Sequence, residues 1–124
     1  MSSAHNPSNR DSHSADALCA EAETALAAAD AVTAIRGFRQ TLELNDEHTR
    51  AQLGLMQALR QAGRFDQAIT IGLRLSVLEP MNAAGHRELA ECFQAIGQIP
   101  QAEAARRRAR VVEWKQQLAR EAKP

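Results

Sequence analysis

The stretch TRAQLGLMQALRQAGRFDQAITIGLRLSVLEPMN, residues 49–82, decides the fold, and it reads as two amphipathic helices joined at Gly63. Leu55, Leu59 and Ala62 recur at i, i+4 and i+7, the spacing that lines apolar side chains along one side of a helix. Gly63 is expected to stop that helix. Phe65, Ala68, Ile69, Leu73 and Leu75 then restore a helical apolar stripe up to Pro80, which cannot continue a helix interior and biases Glu79 away from the α region. The expectation is a helix–turn–helix.

The flanking sequence repeats it. A shift of 34 residues lays Leu55 on Leu89, Ala58 on Cys92, Leu59 on Phe93, Gly63 on Gly97, Phe65 on Ile99 and Ala68 on Ala102. The opposite shift lays Ala25 under Leu59, Ala29 under Gly63, Ala34 under Ala68, Ile35 under Ile69 and Leu44 under Leu78. Three units follow, residues 15–48, 49–82 and 83–116, with nothing to break the last helix from Gln101 to about residue 122. Pro100 falls in the first turn of that helix, where its missing N–H costs no helical hydrogen bond.

A fixed period of 34 residues with small-residue landmarks resembles the tetratricopeptide repeat, over about nine-tenths of the chain. That family favours small residues at repeat positions eight, fifteen and twenty and often Pro at thirty-two. Here those positions carry Ala22, Met56 and Ala90, then Ala29, Gly63 and Gly97, then Ala34, Ala68 and Ala102, and finally Asp46, Pro80 and Trp114. The resemblance implies an all-α solenoid of three helix–turn–helix units with an extended C-terminal helix. The outer units depart from the pattern, with Glu21 in place of Leu55 and with Arg106 and Arg110 in place of Phe38 and Leu42. End units of a solenoid must show a polar face to water, and Arg106 and Arg110 would supply one.

Outside the repeats, residues 1–14, MSSAHNPSNRDSHS, are polar and are expected to form a disordered tail. They contain no apolar segment of the kind a secretory signal or membrane span needs, so no membrane insertion is expected. The composition is 44% hydrophobic with three Phe, one Trp and no Tyr, which points to an aliphatic helical core. Fifteen basic residues balance fifteen acidic ones, leaving no global field for nucleic acid or an anionic membrane. Cys19 and Cys92 lack CxxC spacing and suit a reducing cytoplasm. His5, His13, His48 and His86 have no zinc-like spacing, and neither metal nor cofactor is expected.

On the first helix of each unit, repeat positions four, seven, eleven and fourteen form the packing face, and positions two, five, nine and twelve lie opposite. The opposite set is Asp16, Cys19, Glu23 and Leu26, then Arg50, Leu53, Gln57 and Arg60, then Ala84, Arg87, Glu91 and Gln94. Polar residues there are what any solvated helix shows. Two features favour a binding surface: Cys19, Leu26 and Leu53 place apolar atoms on that side, and Arg50, Arg60 and Arg87 could fork onto carboxylates. The family resemblance makes this side a concave groove for an extended segment or helix of another protein, with Cys19, Leu26, Arg50, Leu53, Gln57, Arg60, Arg87, Glu91 and Gln94 as the contact residues. Cys19, Glu23 and Gly54 occupy the positions where co-chaperone members carry a carboxylate clamp, so that clamp is missing.

The basic run Arg106, Arg107, Arg108 and Arg110 has no aromatic interleaving and is diluted by Glu103 and Glu113, so it reads as a solvated cap and no nucleic-acid partner is expected. Val111, Trp114 and Leu118 form a stripe on the same helix, by default packed onto the third unit, otherwise a contact for self-association or a partner. Among catalytic motifs there is no GxSxG, glycine-rich phosphate loop or HExxH, and an enzyme is not expected. The length, the three units and the tract HRELAECF, residues 86–93, resemble the small tetratricopeptide chaperones of bacterial type III secretion. That resemblance implies an adaptor or chaperone binding another protein. The alternative is a structural, self-associating subunit of a larger assembly.

Overall fold

In a computed structural model, which describes residues 7–122, the chain forms α1 (Pro7–Ala27), α2 (Ala31–Leu44), α3 (Thr49–Gln61), α4 (Phe65–Leu78), α5 (Ala83–Ala95) and α6 (Ile99–Glu121). No strand occurs among the described residues. The pairs α1/α2, α3/α4 and α5/α6 are the three expected units. Helix α1 starts at Pro7, so it takes in the second half of the expected tail, while residues 1–6 lie outside the described residues.

The turn inside each unit is the same motif, repeated at the sequence period. Gly63 N–H donates to the Arg60 carbonyl (3.0 Å) and Arg64 N–H to the Leu59 carbonyl (2.8 Å), the paired bonds of a Schellman ending. Ala29 and Asp30 make the corresponding bonds to Leu26 and Ala25, and Gly97 and Gln98 to Gln94 and Phe93. The motif needs a left-handed residue, and the three are Ala29 (φ 61°), Gly63 (φ 77°) and Gly97 (φ 79°). The joints between units repeat as well. Asn45 and Glu79 close the second helices, and the side chains of His48 and Asn82 cap the next helices by accepting from Ala51 N–H (3.2 Å) and Gly85 N–H (3.0 Å). Pro80 follows directly, as expected from the sequence.

Packing proceeds from neighbour to neighbour. Each helix touches the next, and the first helices of the units also touch, α1 with α3 and α3 with α5. The backbones of the second helices stay apart, α2 and α4 being bridged by long side chains such as Arg39, which donates to the Gln67 amide oxygen (3.1 Å). First helices in contact and second helices splayed apart bend the stack, so the α1–α3–α5 face lies on the inside of the curve. The core is small-residue rich: Phe38 is fully buried among Ala22, Ala34, Ala51, Leu55 and Leu59, and Met56, Leu75 and Leu89 fill the next layer. Burying a side chain such as Phe38 contributes about 2–3 kcal/mol. Close approach is what the alanines allow. Ala62 and Leu73, placed on apolar stripes by their spacing, end up exposed, the first at a helix terminus and the second on the outer side of α4.

Candidate functional site

The inner face is built from α1, α3 and α5, whose side-by-side contacts bring repeat positions from different units within reach of one another. Two half-buried apolar side chains lie on it, Leu26 near the end of α1, packed on the cluster of Cys19 and Phe38, and Leu53 on α3, packed on the cluster of Met56 and Leu89, with Gln57 one turn beyond Leu53. Around them the face is stitched by ion pairs between helices. Arg50 grips Glu23 in a two-pronged arrangement, with Nε and Nη2 each 2.9 Å from a carboxylate oxygen. Arg60 pairs with Glu88, whose side chain is only 8% exposed. Arg87 pairs with Glu113, and Arg106 reaches Glu91 (3.8 Å) and the Gln94 amide oxygen (3.2 Å). His48 Nε2 lies 2.8 Å from the Asp16 carboxylate, fixing the edge of α1 to the start of α3.

The electrostatic consequence is local neutralisation. The Arg50 hydrogen bonds hold the Glu23 carboxyl below the usual range, and Glu88 raises the already high pKa of Arg60 by its hydrogen bond. The arginines expected to be free for a partner are thus already engaged within the fold. Leu26, Leu53, Gln57, Glu91 and Gln94 do lie on the open side. Cys19 does not. It is fully buried in the core with Ala22 and Phe38, because α3 packs against α1 at this level and Arg50 lies over the thiol. Burial raises the pKa of Cys19 and pushes Cys92 up to about 11, Glu23 and Glu88 adding to this, so both free cysteines are neutral thiols at neutral pH and poor nucleophiles.

The stripe on α6 is also corrected. Val111, Trp114 and Leu118 are 46, 60 and 45% exposed, while Val112 and Gln116 turn inward, the latter donating to the Met81 carbonyl (3.0 Å). The default expectation of packing onto the third unit does not hold, because the buried side of α6 runs through Ala102, Ala105, Ala109 and Val112 instead. The carboxylates Glu23, Glu88 and Glu113 were not expected to close inter-helix pairs. The signal for them lies in the recurrence of acid–arginine pairs a little under one period apart, at separations of 27, 28 and 26 residues. Among the described residues no group of His, Cys, Asp or Glu could hold a metal ion, and no helix is long and apolar enough to cross a membrane.

Comparison with known proteins places this geometry. A tetratricopeptide-repeat family model matches residues 25–77. No match was found among curated protein sequences. Among solved structures, the chain is similar to the type III secretion translocator chaperone SycD of Yersinia enterocolitica, in an alternative dimer, with 21% identity, a TM-score of 0.78, and 87% of this chain and 86% of that one covered. It is also similar to a chain of the CopN–Scc3 complex, with 20% identity, a TM-score of 0.74, and 88% of this chain and 69% of that one covered.

Proposed function

We propose that this chain, a three-unit tetratricopeptide solenoid, is a protein-interaction module that holds a segment of a partner protein on its inner face, as a cytoplasmic adaptor or chaperone of the type III secretion kind. The observation that carries this reading is the pair of half-buried leucines, Leu26 and Leu53, left on the inner face among ion pairs that are already satisfied. Apolar atoms left on a concave, charge-neutral floor gain from being covered, whereas the paired arginines around them cost little to approach. The similarity to SycD, a secretion chaperone, and to a chain from the CopN–Scc3 complex supports the same reading.

The test is site-specific photo-crosslinking in native cells. A photoreactive residue at Gln57 is expected to capture one predominant protein, and Leu53→Asp to abolish that capture while helicity is retained. A probe at Gln101, on the first turn of α6, serves as the reference. Equal capture from Gln57 and Gln101, or capture insensitive to Leu53→Asp, overturns the reading. The exposed stripe Val111, Trp114 and Leu118 favours a second reading, self-association through the last helix.

A further inference from the structure

The outer face, made by the second helices, is built differently from the inner one. Because the backbones of α2, α4 and α6 are held apart, two grooves of about 750 and 760 Å³ open between them. They lie at equivalent places in successive repeats. Each contains a repeat-position-four side chain, Gln52 in the α2/α4 groove and His86 in the α4/α6 groove. Each of these donates to a backbone carbonyl at the end of the preceding unit, Gln52 to Asp46 (2.8 Å) and His86 to Pro80 (2.9 Å). Both are at least 95% buried, and in both the remaining polar atom, Gln52 Oε1 or His86 Nδ1, has no partner among the described residues. With Nε2 donating to a carbonyl, a neutral His86 presents Nδ1 as an acceptor. Buried unpartnered acceptors are uncommon and cost about 1–3 kcal/mol each, and the same feature recurs at the floor of both grooves.

Charge separates the faces further. Inner-face Arg50, Arg60 and Arg87 each pair with a glutamate. On the outer face, Arg36 and Arg64 of the first groove and Arg107, Arg108 and Lys115 of the second have no ion pair among the described residues. The first groove also carries Arg39, bonded to Gln67, Glu43, and an Asp46–Arg74 contact at 3.9 Å, while the second holds no carboxylate. Residues 1–6 contain no acidic side chain and so do not complement these cations.

We propose that the two outer grooves form a second docking surface, separate from the inner face, for acidic extended segments of a partner protein. Carboxylates of such a segment meet the unpaired arginines, and alternate apolar side chains settle on Ile35 and Ile71 or on Met81 and Val112.

The experiment measures binding of a labelled peptide alternating Glu or Asp with Leu or Val to the full chain. A matched peptide with Gln and Asn, and a single-stranded oligodeoxynucleotide of equal charge, are the competitors. Arg36→Glu with Arg64→Glu, and Arg107→Glu with Arg108→Glu, are each expected to weaken acidic-peptide binding about tenfold with helicity unchanged, and all four together to abolish it. Leu53→Asp, which tests the inner face, is expected to leave it unaltered. Equal affinity for the Gln/Asn peptide, preference for the oligonucleotide, binding unaffected by the reversals, or a concentration-dependent mass that the reversals abolish overturns the proposal, the last pointing to a second copy of the chain.

Discussion

Ala29 occupies the turn position that Gly63 and Gly97 hold in the other units, at φ 61°. A side chain in the left-handed region costs roughly 1–2 kcal/mol, more than a glycine loses in chain entropy, so Ala29→Gly is expected to stabilise the fold by about 0.5–1 kcal/mol in urea unfolding. At Gly54 the balance runs the other way. Helix propensity favours alanine there by about 1 kcal/mol, but the added Cβ would stand 2.3 Å from Cζ of the fully buried Phe38. Overpacking costs about 1–3 kcal/mol, so a net loss of about 1 kcal/mol is expected for Gly54→Ala, and a gain would show that the ring can step aside. The opposite signs at two small residues follow from backbone conformation in one case and clearance in the other.

Between elements, the ion pairs divide by exposure. The Arg50–Glu23 side chains are 52 and 41% exposed, and a pair so solvated couples by no more than about 1 kcal/mol. Glu88 is 8% exposed, so Arg60→Ala leaves a buried carboxylate alone and is expected to cost about 3 kcal/mol, with Glu88→Gln recovering part of it. Double-mutant cycles on both pairs check the order, and a larger coupling for the exposed pair would contradict it. The depressed Glu23 carboxyl sets a pH dependence. Its contribution is present above the unfolded carboxylate value of about 4.3 and is lost as pH falls through the lower folded value, so the stability advantage over Glu23→Gln should shrink in acid and vanish once both forms are protonated. An advantage that persisted or grew in acid would rule that linkage out.

At the scale of the molecule, a solenoid holds together through nearest-neighbour interfaces and exposes its last helix. Trp114 and Leu118 on α6 are solvent-exposed apolar side chains in one stripe with Val111. If that stripe joins two copies, Trp114→Ser with Leu118→Ser should lower the sedimentation mass from dimer to monomer without loss of helicity. An unsubstituted chain that is monomeric at every concentration, or a dimer that survives the double substitution, removes the self-association reading. The two faces differ for a related reason: inner helices close enough to pair their charges leave Leu26 and Leu53 half-buried among satisfied ion pairs, while on the outer side Arg36, Arg64, Arg107 and Arg108 have no ion pair among the described residues.

The intra-unit turns and the all-helical three-unit stack were legible from the chain itself, because a Gly or Ala at the turn, Pro80 and a 34-residue recurrence are local signals that act through backbone conformation, whereas the start of α1 at Pro7, inside the expected tail, was not. Helical phase also placed Leu26, Leu53 and Gln57 on the open side. What only the tertiary structure decided depends on which helices touch. The burial of Cys19 follows from α3 lying over α1, the engagement of Arg50, Arg60 and Arg87 from carboxylates on other helices, and the outer grooves from second helices whose backbones stay apart. A helix's own periodicity says which residues share a side, but the distance to the next helix, set by small residues and crossing geometry, determines whether that side is core, ion pair or open surface.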